Sequence, residues 1–445
     1  MDKKLLFSAI LIIAMTVMVI SVEIIDSPFI PQPSPPPPAR KAADLKGRKV
    51  TVMTNHPHLK AADLAAQWFH EETGAIVRNI VVDYTEMLSY AISDASSDDP
   101  QLDIIMFWYV DVGALAEKGV LTDLTGFIEE NRQVLHPEDF IPSLYAPYSL
   151  YKEKRWALPY DGDTHVLFYR KSLLQKYGFS PPQTWDEFSL IARTITENEK
   201  NNGIYGTAIM AQPAAMIIVS SFVNRLGGFG GRMLDENGRP VINSDEAVAA
   251  LSAMIEQSAY ALPTPMETDW EVARDAFLSG KVAMADQWTD IGIMAEDPEQ
   301  SVIRGDWGAV QMPRGSGEKG RHSPALNSGF SLGVSAKAKD PEAALAYLLF
   351  VSRPDITLRL NLVNGGIDPV RISVLNSDEY KKFAPELSKA AQAALTSATA
   401  WPCIPQTQKL LDILTINIRL ALEGQKSPRE ALDDTQKQWT DLIGS

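Results

Sequence analysis

Cysteine is nearly absent: Cys403 is the only one in 445 residues. No disulfide can form within the chain, and no Cys/His cluster with metal-ligand spacing exists. The six histidines are His56, His58, His70, His136, His165 and His322, and the close pair His56 and His58 has no third ligand nearby. Blocks of positive charge are also missing. Lysines and arginines are scattered, and the formal net charge is −15. Such an acidic surface repels phosphate backbones and anionic headgroups, which excludes nucleic acid as a partner. The chain contains no G-x-S-x-G elbow, no phosphate-cradling glycine loop and no zinc spacing. No cofactor, no metal and no catalytic residue are expected.

What is present begins at the N-terminus. Lys3 and Lys4 precede residues 5–22, which carry no charge. A secretory hydrophobic segment usually runs about 7–15 residues and a spanning helix about 17–25, so residues 1–27 read as either a cleaved signal peptide or an uncleaved membrane anchor. The two lysines hold this end in the cytoplasm and send the rest outward, so an exported, periplasmic body is expected. Seven prolines follow within residues 28–38. That run favours an extended polyproline spacer of roughly 30 Å, and residues 28–47 read as a linker. Membrane contact is expected through the N-terminal segment alone.

The remaining length is too great for one average core and suits two bodies. The pattern predicts a strand at 49–53, a helix over 60–73 closed by Gly74, a strand at 75–82, a helix over 84–95 and a strand at 102–107. Later come a strand at 165–169, helices over 184–199, 245–257 and 270–278, strands at 282–285 and 330–334, and a helix over 341–351. A break falls at Gly365 and Gly366, and helices dominate from 378 onward. Strands alternating with helices predict parallel sheets covered on both faces. In such sheets ligands sit beyond the carboxyl ends of the strands, which singles out Trp108, Tyr109 and Asp111.

Four stretches carry a resemblance. They are PQLDII at 100–105 with GVLTDL at 119–124; ALPYDGD at 157–163 with FYRKSLL at 168–174 and PPQTWDEF at 181–188; FLSGKVAM at 277–284; and LEGQKSPREAL at 422–432. In this order they resemble the family 1 bacterial extracellular solute-binding proteins, the maltose-binding-protein-like subunits of ABC sugar transporters. The resemblance implies an α/β, two-lobed periplasmic binding protein (type II) fold whose ligand cleft lies between lobes joined by hinge crossings. It also implies an N-terminal lobe of residues 48–161 and 323–366 and a C-terminal lobe of 162–322 and 367–445. The implied function is capture of a carbohydrate-like small molecule, without chemistry, by a monomer that delivers it to an ABC permease coupled to a cytoplasmic ATPase. An exported glycan-active enzyme and a sensory protein built on the same clamp are the competing readings.

A sugar presents ring-edge hydroxyls and flat C–H faces. Aromatic rings suit the faces, and carboxylates and amides suit the hydroxyls in a dry cleft. Trp108 and Tyr109 end a strand, with Asp111 two residues on. The resemblance places a stacking aromatic at Trp288, with Gln287 and Asp290 beside it. Asp161 and Asp163 lie where the family's chain passes between lobes; they bind hydroxyls there or else cap the next element. Asn327, Gly366, Asp368 and Arg371 form a further tier at the other crossings, and Trp401 a further wall. Arg371 is expected to fork onto an acidic ligand group or to pair with an acid of the opposite lobe. Leu410 and Leu411 stand where some oligosaccharide binders carry an aromatic, which argues against a long maltodextrin.

Overall fold

The computed structural model describes residues 45–444 apart from 323, 325, 327 and 364–366. The N-terminal segment, the proline run, Asn327 and Gly366 therefore lie outside the described residues. Residues 41–445 form one compact unit, and every described residue belongs to it. In chain order its strands are β1 (Lys49–Thr54), β2 (Ile76–Val81), β3 (Ile104–Trp108), β4 (Leu150–Tyr151), β5 (Lys154–Arg155), β6 (Leu158–Asp161), β7 (His165–Arg170), β8 (Tyr205–Ala208), β9 (Val282–Trp288), β10 (Trp307–Val310) and β11 (Phe330–Val334).

Local chemistry sets these elements. The helix Leu59–Thr73 buries Ala61, Ala62, Ala65 and Phe69. It ends where Gly74 takes φ 76°, a left-handed conformation that glycine adopts without a Cβ clash. Thr184 and Glu187 close a reciprocal capping box on the helix Trp185–Glu199, and Ser427 and Glu430 do the same on Pro428–Ile443. Both boxes satisfy backbone donors that a helix start otherwise leaves bare.

The strands form two larger sheets. One has the order β2-β1-β3-β11-β6 and the other β10-β7-β9-β8; β4 and β5 make a separate hairpin. β1 is parallel to β2 and β3, whereas β11 runs antiparallel to both β3 and β6. In the second sheet β7 is antiparallel to β9 and β10, and only β8 and β9 are parallel. The expectation of parallel sheets is corrected to mixed ones. In the first sheet β11 returns from the second sheet's side and inserts between β3 and β6 against their direction, and in the second β7 runs against both its neighbours.

The chain passes between the sheets at residues 162–164 and again between β10 and β11. At the first passage a second segment, residues 367–371, lies alongside. Gly162 N–H donates to the Asp368 carbonyl at 3.2 Å. A Cβ at Gly162 would sit 2.1 Å from the Pro369 carbonyl oxygen, so no larger residue fits while these segments touch. Among the described residues no helix is long and apolar enough to cross a membrane.

Candidate functional site

Strand register builds the site. Phe330 on β11 pairs with Trp108 on one side and with Asp161 on the other. Strands lie about 4.8 Å apart, so Trp108 and Asp161 end one row roughly 10 Å long. Four residues further on, His165 pairs with Trp288 at the end of the second sheet. Asp163 hangs midway along that passage. The ends of both sheets thus meet at a short piece of chain.

Three tryptophans are almost wholly buried there: Trp108 is 5% exposed, Trp288 4% and Trp401 3%. Trp108 meets Trp401 edge-to-face at 5.2 Å, and His165 meets Trp288 likewise at 4.2 Å. All three indole N–H groups lack a hydrogen-bond partner, as do Gln287 Oε1 and Asp290 Oδ1. A buried polar atom without a partner costs about 1–3 kcal/mol, so each of these groups is suited to meeting a further polar partner. Ser328 Oγ lies 2.9 Å from Met216 Sδ, so the segment entering β11 touches the segment following β8. A cavity of about 190 Å³ opens beside Trp401, lined also by Val223, Met233, Pro324 and Pro402. A wider groove of about 520 Å³ around Phe140, Tyr145 and Arg155 shares none of these residues.

Carboxylates crowd the passage. Asp161 Oδ2 receives His58 Nε2 at 3.0 Å and Oδ1 accepts the Asp368 N–H at 2.7 Å. Thr289 Oγ1 donates to Asp368 Oδ2 at 2.5 Å, and Asp163 is hydrogen-bonded to Asp368, carboxyl to carboxyl. Burial, then the neighbouring carboxylates Asp161, Asp368 and Asp290, pushes Asp163 well above the usual range. Burial and the charges of Asp161 and Asp290 do the same to Asp368. Asp290 is pushed up to about 6 by burial first and by Asp161 second. Among the described residues no group of three or more His, Cys, Asp and Glu is placed to hold a metal.

Behind Trp288 the second sheet is stiffened by a buried polar network. Arg225 donates to Gln257 Oε1 at 2.7 Å, the Ser221 carbonyl at 2.7 Å and Asp286 Oδ2 at 3.1 Å. Its guanidinium covers the Trp185 ring at 4.5 Å. Asn224 Nδ2 lies 2.6 Å from His165 Nδ1, and burial, then Arg225, holds His165 well below its ordinary pKa. His165 is thus a neutral structural histidine.

Several residues expected at the ligand are instead engaged by the protein. Tyr109 is fully buried and stacks on Tyr148 at 4.5 Å; its hydroxyl donates to the Leu326 carbonyl and accepts the Trp401 N–H. Asp111 accepts from Gln408 Nε2 at 2.7 Å, and burial pushes its carboxyl up to about 7. Both oxygens of Asp161 are occupied, and Asp368 is tied to Thr289 and Asp163. Arg371 is fully buried over the Phe140 ring at 4.0 Å and donates to the carbonyls of Leu135, His136 and Ser352 and to Asp139. It forks onto the body, not onto a ligand. Gln287 keeps a bare Oε1 while its Nε2 meets Met210 Sδ at 3.2 Å. Trp108 and Trp288 keep indole N–H groups without partners, while Asp163 is bonded to Asp368. His58, Thr289 and Met216 were not singled out by sequence, although His58 follows the carboxyl end of β1, where strand-end logic points.

The chain matches the model of the bacterial extracellular solute-binding protein family over residues 60–357. It is 24% identical over 378 residues to a probable amino-acid ABC transporter periplasmic-binding protein of Sinorhizobium fredii, covering 83% of each chain. It superposes with a TM-score of 0.78 and 25% identity on an ABC transporter solute-binding protein of Agrobacterium radiobacter in complex with ribitol, covering 89% of this chain and 99% of that one. Maltose-bound MalE3 of T. maritima gives a TM-score of 0.80 at 24% identity, covering 89% and 100%. With two sheets meeting at a tryptophan-lined passage and a family match across most of its length, the chain belongs to the bacterial extracellular solute-binding proteins and is the solute-binding protein of an ABC transporter.

Proposed function

We propose that the protein captures a neutral, polyhydroxylated solute, a polyol or a small sugar, between the ends of its two sheets and hands it to a membrane permease. The observation carrying this reading is the set of bare indole N–H groups of Trp108, Trp288 and Trp401 at the ends of the two sheets, with half-buried Asp163 on the passage that joins those sheets. Ring faces cover the solute's C–H surface, indole N–H groups donate to its hydroxyl oxygens, and Asp163 accepts from its hydroxyls. Arg371 does not hold an acidic ligand, since the protein's own carbonyls and Asp139 engage it. The likeness to the ribitol-bound protein supports a ligand of this size. In this reading residues 48–161 and 323–366 make one lobe, and 162–322 and 367–445 the other.

The clamp breaks no bond. Glycoside cleavage needs two carboxyl groups flanking the substrate about 5–9.5 Å apart, and Asp161 is already committed to His58 and Asp368. Solute touching both lobes stabilises their closed arrangement, which a monomer presents outside the cytoplasmic membrane to the permease and its ATPase. The test is a thermal-shift panel of pentitols, hexitols, mono- and disaccharides, amino acids and their phosphorylated or acidic forms. A rise in melting temperature confined to neutral polyols or sugars supports the proposal. A rise confined to amino acids or phosphates overturns it.

A further inference from the structure

The polar groups at the passage form one connected chain. His58, after β1 of the first sheet, bonds Asp161; Asp161 accepts the Asp368 N–H; Asp368 accepts from Thr289, after β9 of the second sheet. Asp163 joins through its carboxyl contact with Asp368. Each sheet is thus linked to the other by side chains on two segments packed so closely that only Gly162 fits between them. Two ionised carboxylates cannot share a hydrogen bond; one must carry a proton. The Thr289 hydroxyl favours the ionised form of Asp368, while burial and the neighbouring carboxylates push the other way. Asp161 and Asp290 add negative charge, and the buried hydroxyls of Tyr148 and Tyr380 stand nearby without partners. His58 is hydrogen-bonded to Asp161, and the Arg274 guanidinium acts on Asp290.

We propose that this passage is a proton-operated latch: one proton shared by Asp163 and Asp368 holds the two crossing segments together, and its loss lets the clamp open. The proposal rests on the clamp reading above but not on the identity of the solute. In the latched form the protonated carboxyl donates to its partner carboxylate. On deprotonation the proton passes to water through half-buried Asp163, and two adjacent anions replace the hydrogen bond. A carboxyl that holds its proton more tightly folded than unfolded contributes most below its ordinary pKa and loses that contribution as pH rises through its raised one. The latch is therefore strongest in acid and weakens toward alkaline pH. Burial pushes both carboxyls in the direction this requires.

Acrylamide quenching of tryptophan fluorescence tests this on the full, solute-free chain, because opening the passage exposes Trp108, Trp288 and Trp401. Quenching of the natural protein should rise sigmoidally as the pH is raised above the ordinary carboxylate range. In Asp368→Asn the amide donates to Asp163 without a titrating proton, so quenching should stay at the low, acid value throughout. In Thr289→Val, loss of a hydrogen bond to the Asp368 carboxylate should move the rise to higher pH. A flat profile for the natural protein, or an unchanged rise in Asp368→Asn, overturns the latch. If Asp368→Asn shows no cooperative melt, Asp163→Asn, in which the amide sits on the other partner, must give the flat profile in its place. No solute is present, so a failed latch leaves the solute reading intact, and a failed solute panel leaves the latch intact.

Discussion

Replacing Trp288 by phenylalanine should separate ligand contact from packing. Trp288 is 4% exposed and belongs to an apolar cluster with Val166, Phe168 and Ile291, so truncation to alanine would cost about 3–5 kcal/mol through the cavity alone. Phenylalanine keeps a ring against His165, 4.2 Å away, and removes the one polar atom that has no partner. Losing an unsatisfied buried N–H recovers about 1–3 kcal/mol, which offsets the smaller ring's lost contacts. The solute-free melt of Trp288→Phe should therefore stay within about 1.5 kcal/mol of the natural protein. Binding should behave differently. If the N–H donates to a solute hydroxyl, its loss removes about 0.5–1.5 kcal/mol, a weakening of about 2- to 13-fold. Calorimetric titration of the strongest solute from the panel, paired with solute-free denaturation, reads both quantities. Unchanged affinity together with a stability loss above about 3 kcal/mol would refute the reasoning and make Trp288 a core residue only.

Other residues give predictions of different sign. Asp111→Asn should raise stability most at pH 8, by less at pH 5, and hardly at all below the ordinary carboxylate range. Its carboxyl, pushed up to about 7, contributes in the protonated form at low pH and destabilises once ionised, by at most about 4 kcal/mol, in pH-dependent melts. Tyr109→Phe removes the hydroxyl joining the Leu326 carbonyl to the Trp401 N–H and should cost about 1–3 kcal/mol in urea titrations. Arg371→Met should cost about 3–5 kcal/mol by stranding three buried carbonyls and Asp139, while the folded fraction binds solute with natural affinity.

Much of the fold was legible because the patterns are local. The helix Leu59–Thr73 with its glycine stop, the capped helix Trp185–Glu199 and the strand Phe330–Val334 fall within a residue or two of where periodicity and caps place them. The short strands β8 and β10 were not legible, since four residues each leave no period to read. Strand direction was also hidden: nothing within residues 330–334 records that they pair antiparallel with both β3 and β6. At the site, residue type pointed to the right neighbourhood but not to the role. Asp161 and Asp163 look equivalent two residues apart, yet His58 and the Asp368 N–H engage one and leave the other half-buried. Those partners lie 103 and 207 positions away, beyond the reach of local patterns. Arg371 carries the charge of a ligand-gripping side chain, and only its burial among carbonyls shows that it grips the protein.

The central claim is that one solute bridges the ends of both sheets. Hydrogen–deuterium exchange with and without the panel's strongest solute tests it most directly. The account predicts simultaneous protection of residues 107–109 at the end of β3 and residues 286–290 at the end of β9. Protection at one of these segments alone, or at neither, would contradict it.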